Sequence, residues 1–343
     1  MGLVNGVNNM DERQKSILKE IVECYIKEAK PIGSKHLCEK FKCSSATIRN
    51  EMAFLEKLGY LEKNHISSGR IPSELGYKYY VEHLMKPKEL TGEDMLKLQT
   101  IFSNKELQVS DAITKCLEII SDITNYTSIS LGEYCEENAL QQISIIPLDE
   151  RRLVALVCTD KGIVKNKQFM LDQNTNIMEV VKTSELINKM LVGTPITDIS
   201  KRLEYEIKPI ISQQIKQYET VYNIFYNAFN DFLKNNRNVH VVGKSKMLEQ
   251  PEYNDTDELK RLINKLEDEE QVRKIEKNEN DHDISIYIGS ESDFDDNVTV
   301  IKTTYSALGV EGTIAIIGPK RMEYDRVVGI LNILNKWLEE KGE

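Results

Sequence analysis

Residues Pro31 to Asn50, reading Pro-Ile-Gly-Ser-Lys-His-Leu-Cys-Glu-Lys-Phe-Lys-Cys-Ser-Ser-Ala-Thr-Ile-Arg-Asn, constrain this chain more than any other stretch. They predict two short helices broken by a tight turn. Ser34 is placed to cap the first helix, which buries Leu37 and Phe41. Lys42-Cys43 makes the turn, and Ser44 or Ser45 caps the second helix, taking up its free N–H groups. Ile48, Met52 and Leu55 follow at spacings of four and three and form that helix's buried face. Ala46, Thr47, Arg49 and Asn50 are then left facing outward near its N-terminus. Small side chains there permit close approach to a surface, and Arg and Asn carry paired hydrogen-bonding groups. A helix-turn-helix presents its recognition helix to the DNA major groove in this way.

The flanks extend the pattern. Between Asp11 and Glu28, Ile17, Leu18, Ile21, Val22, Tyr25 and Ile26 draw the apolar stripe of a supporting helix. Gly59 follows Leu58 as a helix-ending glycine. Tyr60–Lys63 and Arg70–Pro72, joined by the polar turn 64–69, predict two short strands forming a wing. Lys63, His65 and Arg70 sit where a wing touches phosphates. With Ser34, Lys35, Ser44, Ser45, Thr47, Arg49 and Asn50 they make up the candidate DNA-binding set.

Charge agrees once it is divided along the chain. The net charge is −10, yet residues 1–90 hold 15 Lys and Arg against 12 Asp and Glu, which leaves −13 on the remainder. The N-terminal module is mildly basic and the acidic body would repel a duplex, so contact with double-stranded DNA falls to that module. A length of 343 residues, at about 100–200 per domain, predicts two or three domains. No apolar run is long enough to span a membrane. The N-terminus lacks the basic region and apolar core of a secretory signal, so a cytoplasmic location without membrane contact is expected. The six cysteines, Cys24, Cys38, Cys43, Cys116, Cys135 and Cys158, have no paired C-x-x-C spacing and are expected to be reduced thiols.

Beyond the winged module (residues 1–90), Pro87 and Lys88–Glu93 read as a linker. A helix follows over Ser110–Asn125. Gln142–Pro147, Leu153–Cys158 and Ile163–Leu171 predict an antiparallel meander. Residues 176–277 read as almost entirely helical. Within them Ile207, Ile211, Ile215, Tyr218, Tyr222, Phe225, Phe229 and Phe232 form one stripe at helical spacing. Such a stripe is buried either in the monomer core or against a second copy, and it is the best internal candidate for a dimer seam. Strands return at Ile284–Ile288, Val298–Thr303 and Thr313–Ile317, before a final helix over Asp325–Glu339. The expected fold is multidomain α+β, with one sensor-like domain in two parts (91–175 and 278–343) interrupted by the helical block at 176–277.

Catalytic and cofactor signals fail on spacing. Val242-Gly-Lys-Ser245 resembles the tail of a phosphate-binding loop, but the required earlier glycine is Asn238. His36, His65, His83, His240 and His282 show no metal-ligand spacing. Asp293-Phe-Asp-Asp296 reads as an acidic loop tip. No enzyme, metal or cofactor is expected.

The motifs Pro31-Ile-Gly-Ser34, Ser44–Ala53, Leu55-Glu56, Ser67-Ser-Gly-Arg-Ile-Pro72 and Gly76–Val81 resemble the HrcA family of bacterial heat-inducible transcription repressors. So do Ile288-Gly-Ser-Glu291 and Gly312–Tyr324 near the C-terminus. The likeness departs at Ile66, where the family often carries Thr after the wing histidine. The resemblance implies a winged helix, a GAF-like α/β domain and an inserted, mostly helical dimerising domain. It further implies a homodimer on an inverted-repeat operator, the CIRCE element, upstream of chaperone operons. It implies dependence on the GroEL chaperonin, with release on heat stress. The competing expectation is a winged-helix regulator whose GAF-like domain binds a small-molecule effector.

Overall fold

A computed structural model of the chain describes residues 10–63, 69–103, 109–132, 139–160, 164–172, 175–214, 218–235, 239–276, 283–307 and 310–342. It divides into two compact units, Met1–Leu131 with Val239–Glu343, and Gly132–Asn238.

The first unit opens with α1 (Glu12–Glu28), whose start is fixed by a reciprocal cap. The Asp11 carboxylate accepts from the Gln14 N–H at 2.8 Å, and the Gln14 side chain accepts from the Asp11 N–H at 3.1 Å. Next come α2 (Ser34–Phe41) and α3 (Ser45–Lys57). Helix α3 ends as its sequence requires. Gly59 takes φ +83°, its N–H donates to Glu56 O and the Tyr60 N–H reaches Leu55 O, satisfying the last carbonyls. Strands β1 (Leu61–Lys63) and β2 (Arg70–Pro72) pair antiparallel with Lys63 opposite Arg70. The β2 backbone also exchanges two hydrogen bonds between Arg70 and Ile32, tying the wing to the segment before α2. A side chain at Gly69 would meet Pro31 Cβ at 2.7 Å, so glycine is needed where those two segments touch.

Helix α4 (Glu74–Tyr79) continues through a π turn to Leu84, and α5 (Gly92–Phe102) and α6 (Val109–Thr124) follow. The stretch expected to be a linker is fastened. The Lys88 N–H donates to Asp325 O at 2.9 Å, and Gly329 lies so close to the Lys88 carbonyl that a Cβ would fall 2.2 Å from it. Accordingly, Ile21, Leu55 and Tyr77 of the winged module share one hydrophobic core with Leu117, Ile316 and Leu331 of the body. β3 (Thr127–Gly132) then ends the first part of this unit.

The second unit holds β4 (Leu140–Pro147), β5 (Arg152–Thr159) and β6 (Val164–Met170), the antiparallel meander expected from the turn signals. They are followed by α7 (Ile177–Leu191), α8 (Ile196–Arg202), a π turn over Leu203–Ile207, α9 (Lys208–Gln214) and α10 (Tyr218–Asn235). The meander packs with these helices. Ile143, Leu153 and Val157 are buried together with Val180, Ile187 and Phe225. The separate unit is therefore 132–238 rather than the helical block 176–277. The expected single stripe is divided as well. Ile207, Ile211, Tyr222, Phe225 and Phe229 come from three successive elements, and all are buried in this unit's own core. Tyr218 is partly buried against the same core. Their burial within one chain is the first of the two alternatives that the spacing left open. Ile215 and the Phe232 side chain lie outside the described residues.

The chain re-enters the first unit at β7 (Val239–Val242), which pairs antiparallel with β3. After α11 (Thr256–Glu267) and α12 (Glu269–Arg273) come β8 (Ser285–Ile288), β9 (Val298–Ala307), β10 (Val310–Pro319) and α13 (Tyr324–Gly342). The five strands lie in the order β7-β3-β10-β9-β8. Alternate residues of β10 enter different cores: Ile314 and Ile316 meet Leu331 and Leu334, while Ala315 and Ile317 meet Leu262 and Phe294. A sheet covered on both faces explains why 313–317 reads as a continuous apolar run.

Candidate nucleic-acid interface

The α3 N-terminus is organised by small hydroxyl side chains. Ser44 is the cap, with φ −65° and ψ 152°, and its Oγ accepts from the Thr47 N–H at 3.1 Å. The same Oγ lies 2.9 Å from Thr47 Oγ1, so both hydroxyls are held at the helix mouth. Ser34 does not cap α2 as expected. That position is Gly33, which makes no side-chain cap bond, and Ser34 instead lies in the first turn with its Oγ 2.8 Å from Ser45 Oγ. The shift has a use: it cross-links the first turns of α2 and α3. Arg49 joins the cluster by donating from Nε to Ser34 Oγ at 3.3 Å. Its two terminal nitrogens then remain for an outside acceptor, in the fork that fits guanine O6 and N7.

Ala46, Arg49 and Asn50 are exposed, as are Lys35 on α2 and Lys63 on β1. The opposite face of α3 is anchored. Ile48, Met52 and Leu55 are buried, and so is Glu51, whose carboxylate pairs with Arg13 and accepts from Gln14 Nε2 at 3.0 Å. Glu51 lies three residues after Ile48 and four before Leu55, and that spacing was the available signal that it belongs to the inner face.

Arg70 is the residue whose placement differs most from expectation. Its side chain is only 17% exposed, and Nε donates to Glu56 Oε2 of α3 at 2.7 Å. The guanidinium joins the wing to the recognition helix rather than standing free for a phosphate. Arg70→Ala and Glu56→Ala are each expected to cost about 1–2 kcal/mol, between the values for exposed and buried ion pairs. The double variant is expected to lose little more than either single, which thermal unfolding of the three proteins checks. His65 lies outside the described residues.

Two of the thiols are held in the neutral form. Burial, with Glu20 beside it, pushes the Cys24 thiol up to about 11, and burial alone pushes Cys116 up to about 12, away from the reactive thiolate. Among the described residues no group of three His, Cys, Asp or Glu could hold a metal ion, and no helix is long and apolar enough to cross a membrane.

Comparison with known proteins agrees with this geometry. The family described as "Winged helix-turn-helix transcription repressor, HrcA DNA-binding" matches residues 9–79, and "HrcA protein C terminal domain" matches residues 110–328. The chain is 38% identical over 332 residues to a heat-inducible transcription repressor HrcA of Bacillus pumilus, covering 95% of this chain and 96% of that protein. It is 37% identical over 331 residues to the same-named protein of Lysinibacillus sphaericus, again over 95% and 96% of the two chains. A solved structure, described only as a hypothetical protein, shares the fold with a TM-score of 0.64 and 19% identity, covering 97% of this chain and 99% of that one.

Proposed function

Because the chain belongs to the HrcA family of heat-inducible transcription repressors, we propose that it silences chaperone operons by binding, as a two-fold dimer, an inverted-repeat operator of the CIRCE type. It is a DNA-binding repressor and not an enzyme. The observation that carries the operator reading is the start of α3. Ser44 caps it, Ser34 and Ser45 brace it, and Ala46, Arg49 and Asn50 stand exposed on it. Arg49 and Asn50 read base edges, while Ser34, Lys35, Ser44, Ser45, Thr47, Lys63 and the wing residue His65 serve the backbone and set the register. Arg70 acts through Glu56, holding the wing at the angle from which it reaches the duplex.

A single recognition helix covers a few base pairs, so high specificity calls for two of them, related by the symmetry of an inverted repeat. The stripe from Ile207 to Phe229 is already used in the core, and the seam needs another apolar face. The outward face of the β4–β6 meander offers a mixed one, its apolar side chains interspersed with Ser144, Asn166 and Gln168. Ile146 and Val164 are exposed there, and Val154 and Leu156 between them are half-buried. The body, with its five-stranded sheet covered on both faces, corresponds to the GAF-like domain, and 132–238 to the inserted dimerising domain.

Repression depends on the GroEL chaperonin, which keeps the repressor in its folded state until heat-denatured proteins occupy it. The test is to refold the chain from denaturant with and without GroEL and titrate it against operator duplex. A larger DNA-binding fraction with GroEL is expected; an equal fraction in both would remove the chaperonin from the mechanism.

A further inference from the structure

Two sequence motifs, Ile288-Gly-Ser-Glu291 and Gly312–Tyr324, have no part in the DNA contact described above, yet the fold brings their ends together. β8 and β10 both pair antiparallel with β9, with Ile288 opposite Thr299 and Pro319 opposite Val298. Both strands therefore run out at the same end of the sheet. The residues that follow them, Gly289–Glu291 and Lys320–Arg321, meet the winged module there. Glu74, the first residue of α4, is held from two sides. Lys320 forms an ion pair with it, and Ser290 Oγ donates to its Oε2 at 3.3 Å. Gly289, at φ +59°, passes so close that a Cβ would lie 2.3 Å from Glu74 Oε1. One helical turn on, Lys78 pairs with Glu291 at 2.6 Å. On α1, Arg321 donates from Nη1 to Ile26 O at 2.6 Å. That oxygen is one of the carbonyls left over at a helix C-terminus, where a cation is favoured. Glu252 pairs with the same guanidinium and orients it.

These bonds end on the two helices that carry the reading surface. α4 starts two residues after β2, and Gly76 within it lies against the start of β1, where a Cβ would fall 2.1 Å from Tyr60 O. The Ser73 N–H donates to the same carbonyl at 3.1 Å, and the Tyr60 N–H closes the end of α3. α1 holds α3 through Gln14 and Glu51. A tilt of α1 and α4 on the body is thus a tilt of α3 and the wing. The apolar core shared by the winged module and the body resists their separation, but apolar burial is non-directional. Hydrogen bonds and ion pairs have direction and fix an angle. Exposed pairs such as Lys78–Glu291 add little to stability, so orientation is the larger consequence of this set.

We propose that Glu291, Lys320 and Arg321 are positioning residues for operator recognition, forming a clasp at the end of the sheet that fixes the angle of the winged helix on the body. In a dimer that angle also sets the distance between the two recognition helices, and an inverted repeat demands one distance. With the clasp open, each winged module still binds a half-site. Only a fraction of the molecules then hold both modules at the required distance, and affinity for the intact operator falls by that fraction. The proposal rests on the two-fold DNA-binding reading above.

A charge exchange in the full chain tests it, with Lys78→Glu, Glu291→Lys, the exchanged double variant and Arg321→Gln. Each protein is titrated by fluorescence anisotropy against an intact inverted repeat and against a half-site duplex, and its amide hydrogen exchange is followed without DNA. Each charge reversal is expected to lower the ratio of intact-operator to half-site affinity about tenfold, since an exposed pair is worth up to a factor of about five and two clasps act in one complex. Half-site affinity and melting temperature are expected to stay near those of the parent. The exchanged variant, which restores the pair with opposite polarity, is expected to recover the ratio. Arg321→Gln is expected to lower the ratio and to speed exchange at the end of α1. An unchanged ratio, or tighter binding to the intact operator, overturns the proposal, as does equal weakening on both duplexes. Exchange in the DNA-free proteins separates this failure from that of the reading it rests on. Faster exchange over α4 in the reversals, in a protein whose parent shows no preference for the intact repeat, would fault the two-fold reading and leave the clasp. Exchange equal to the parent's in every variant would refute the clasp itself.

Discussion

Replacing Arg49 by Ala is expected to weaken binding to the matched operator by about 1–3 kcal/mol, roughly 5- to 150-fold, and to flatten discrimination at one base pair in each half-site. The size follows from the geometry. With Nε held by Ser34 Oγ, the guanidinium offers its terminal nitrogens as a fixed pair. A bidentate contact to guanine is lost whole when either the fork or its orientation is lost. Ser34→Ala is therefore expected to reproduce part of the loss without removing any charge. Operator titrations with single-base variants distinguish this from a phosphate role. A phosphate contact would give the same weakening on every sequence and lower the salt slope by about one unit.

Phe225→Ala is expected to produce the other large effect, a loss of about 3–5 kcal/mol in the stability of the second unit. Phe225 is fully buried among residues of its own unit, with Phe229, Ile207 and Leu153 in the same cluster. The destabilisation is expected to be independent of protein concentration, as for a core cavity. Leu156→Lys, on the half-buried outward face of β5, is expected to do the opposite: leave unfolding of the unit nearly intact and dissociate the dimer. Chemical denaturation at two concentrations separates them. A Phe225→Ala protein that stays folded but monomeric would restore the helical stripe as the seam.

The helix-turn-helix was legible because its signals are local. A capping serine, a four-and-three apolar spacing and a glycine past the last turn are each settled by a few neighbouring residues, and all three appear where expected. Ser34 misled for the same local reason. A serine near a helix start looks like a cap, while its actual partner, Ser45, is eleven residues away and depends on how two helices cross. The Glu56–Arg70 pair was hidden by a greater separation, since only the folded wing brings Arg70 back onto α3. The boundary of the second unit was misplaced because β4–β6 carry the same alternation as strands of the main sheet. Pattern shows that such strands are half-buried, not which helices bury them. The stripe from Ile207 onward shows the corresponding limit for helices. Spacing identifies an apolar face, but whether its own chain or a second copy covers that face depends on contacts distant in sequence.

The central claim, that two chains read one inverted repeat, is tested most directly by the mass of the complex formed on a duplex carrying a single operator. Sedimentation velocity of the full chain with that duplex is expected to show two chains per DNA, with no stable one-chain species on the intact site. Shortening the duplex to one half-site is expected to reduce affinity sharply. One chain per duplex, protecting both half-sites with undiminished affinity, would contradict the account.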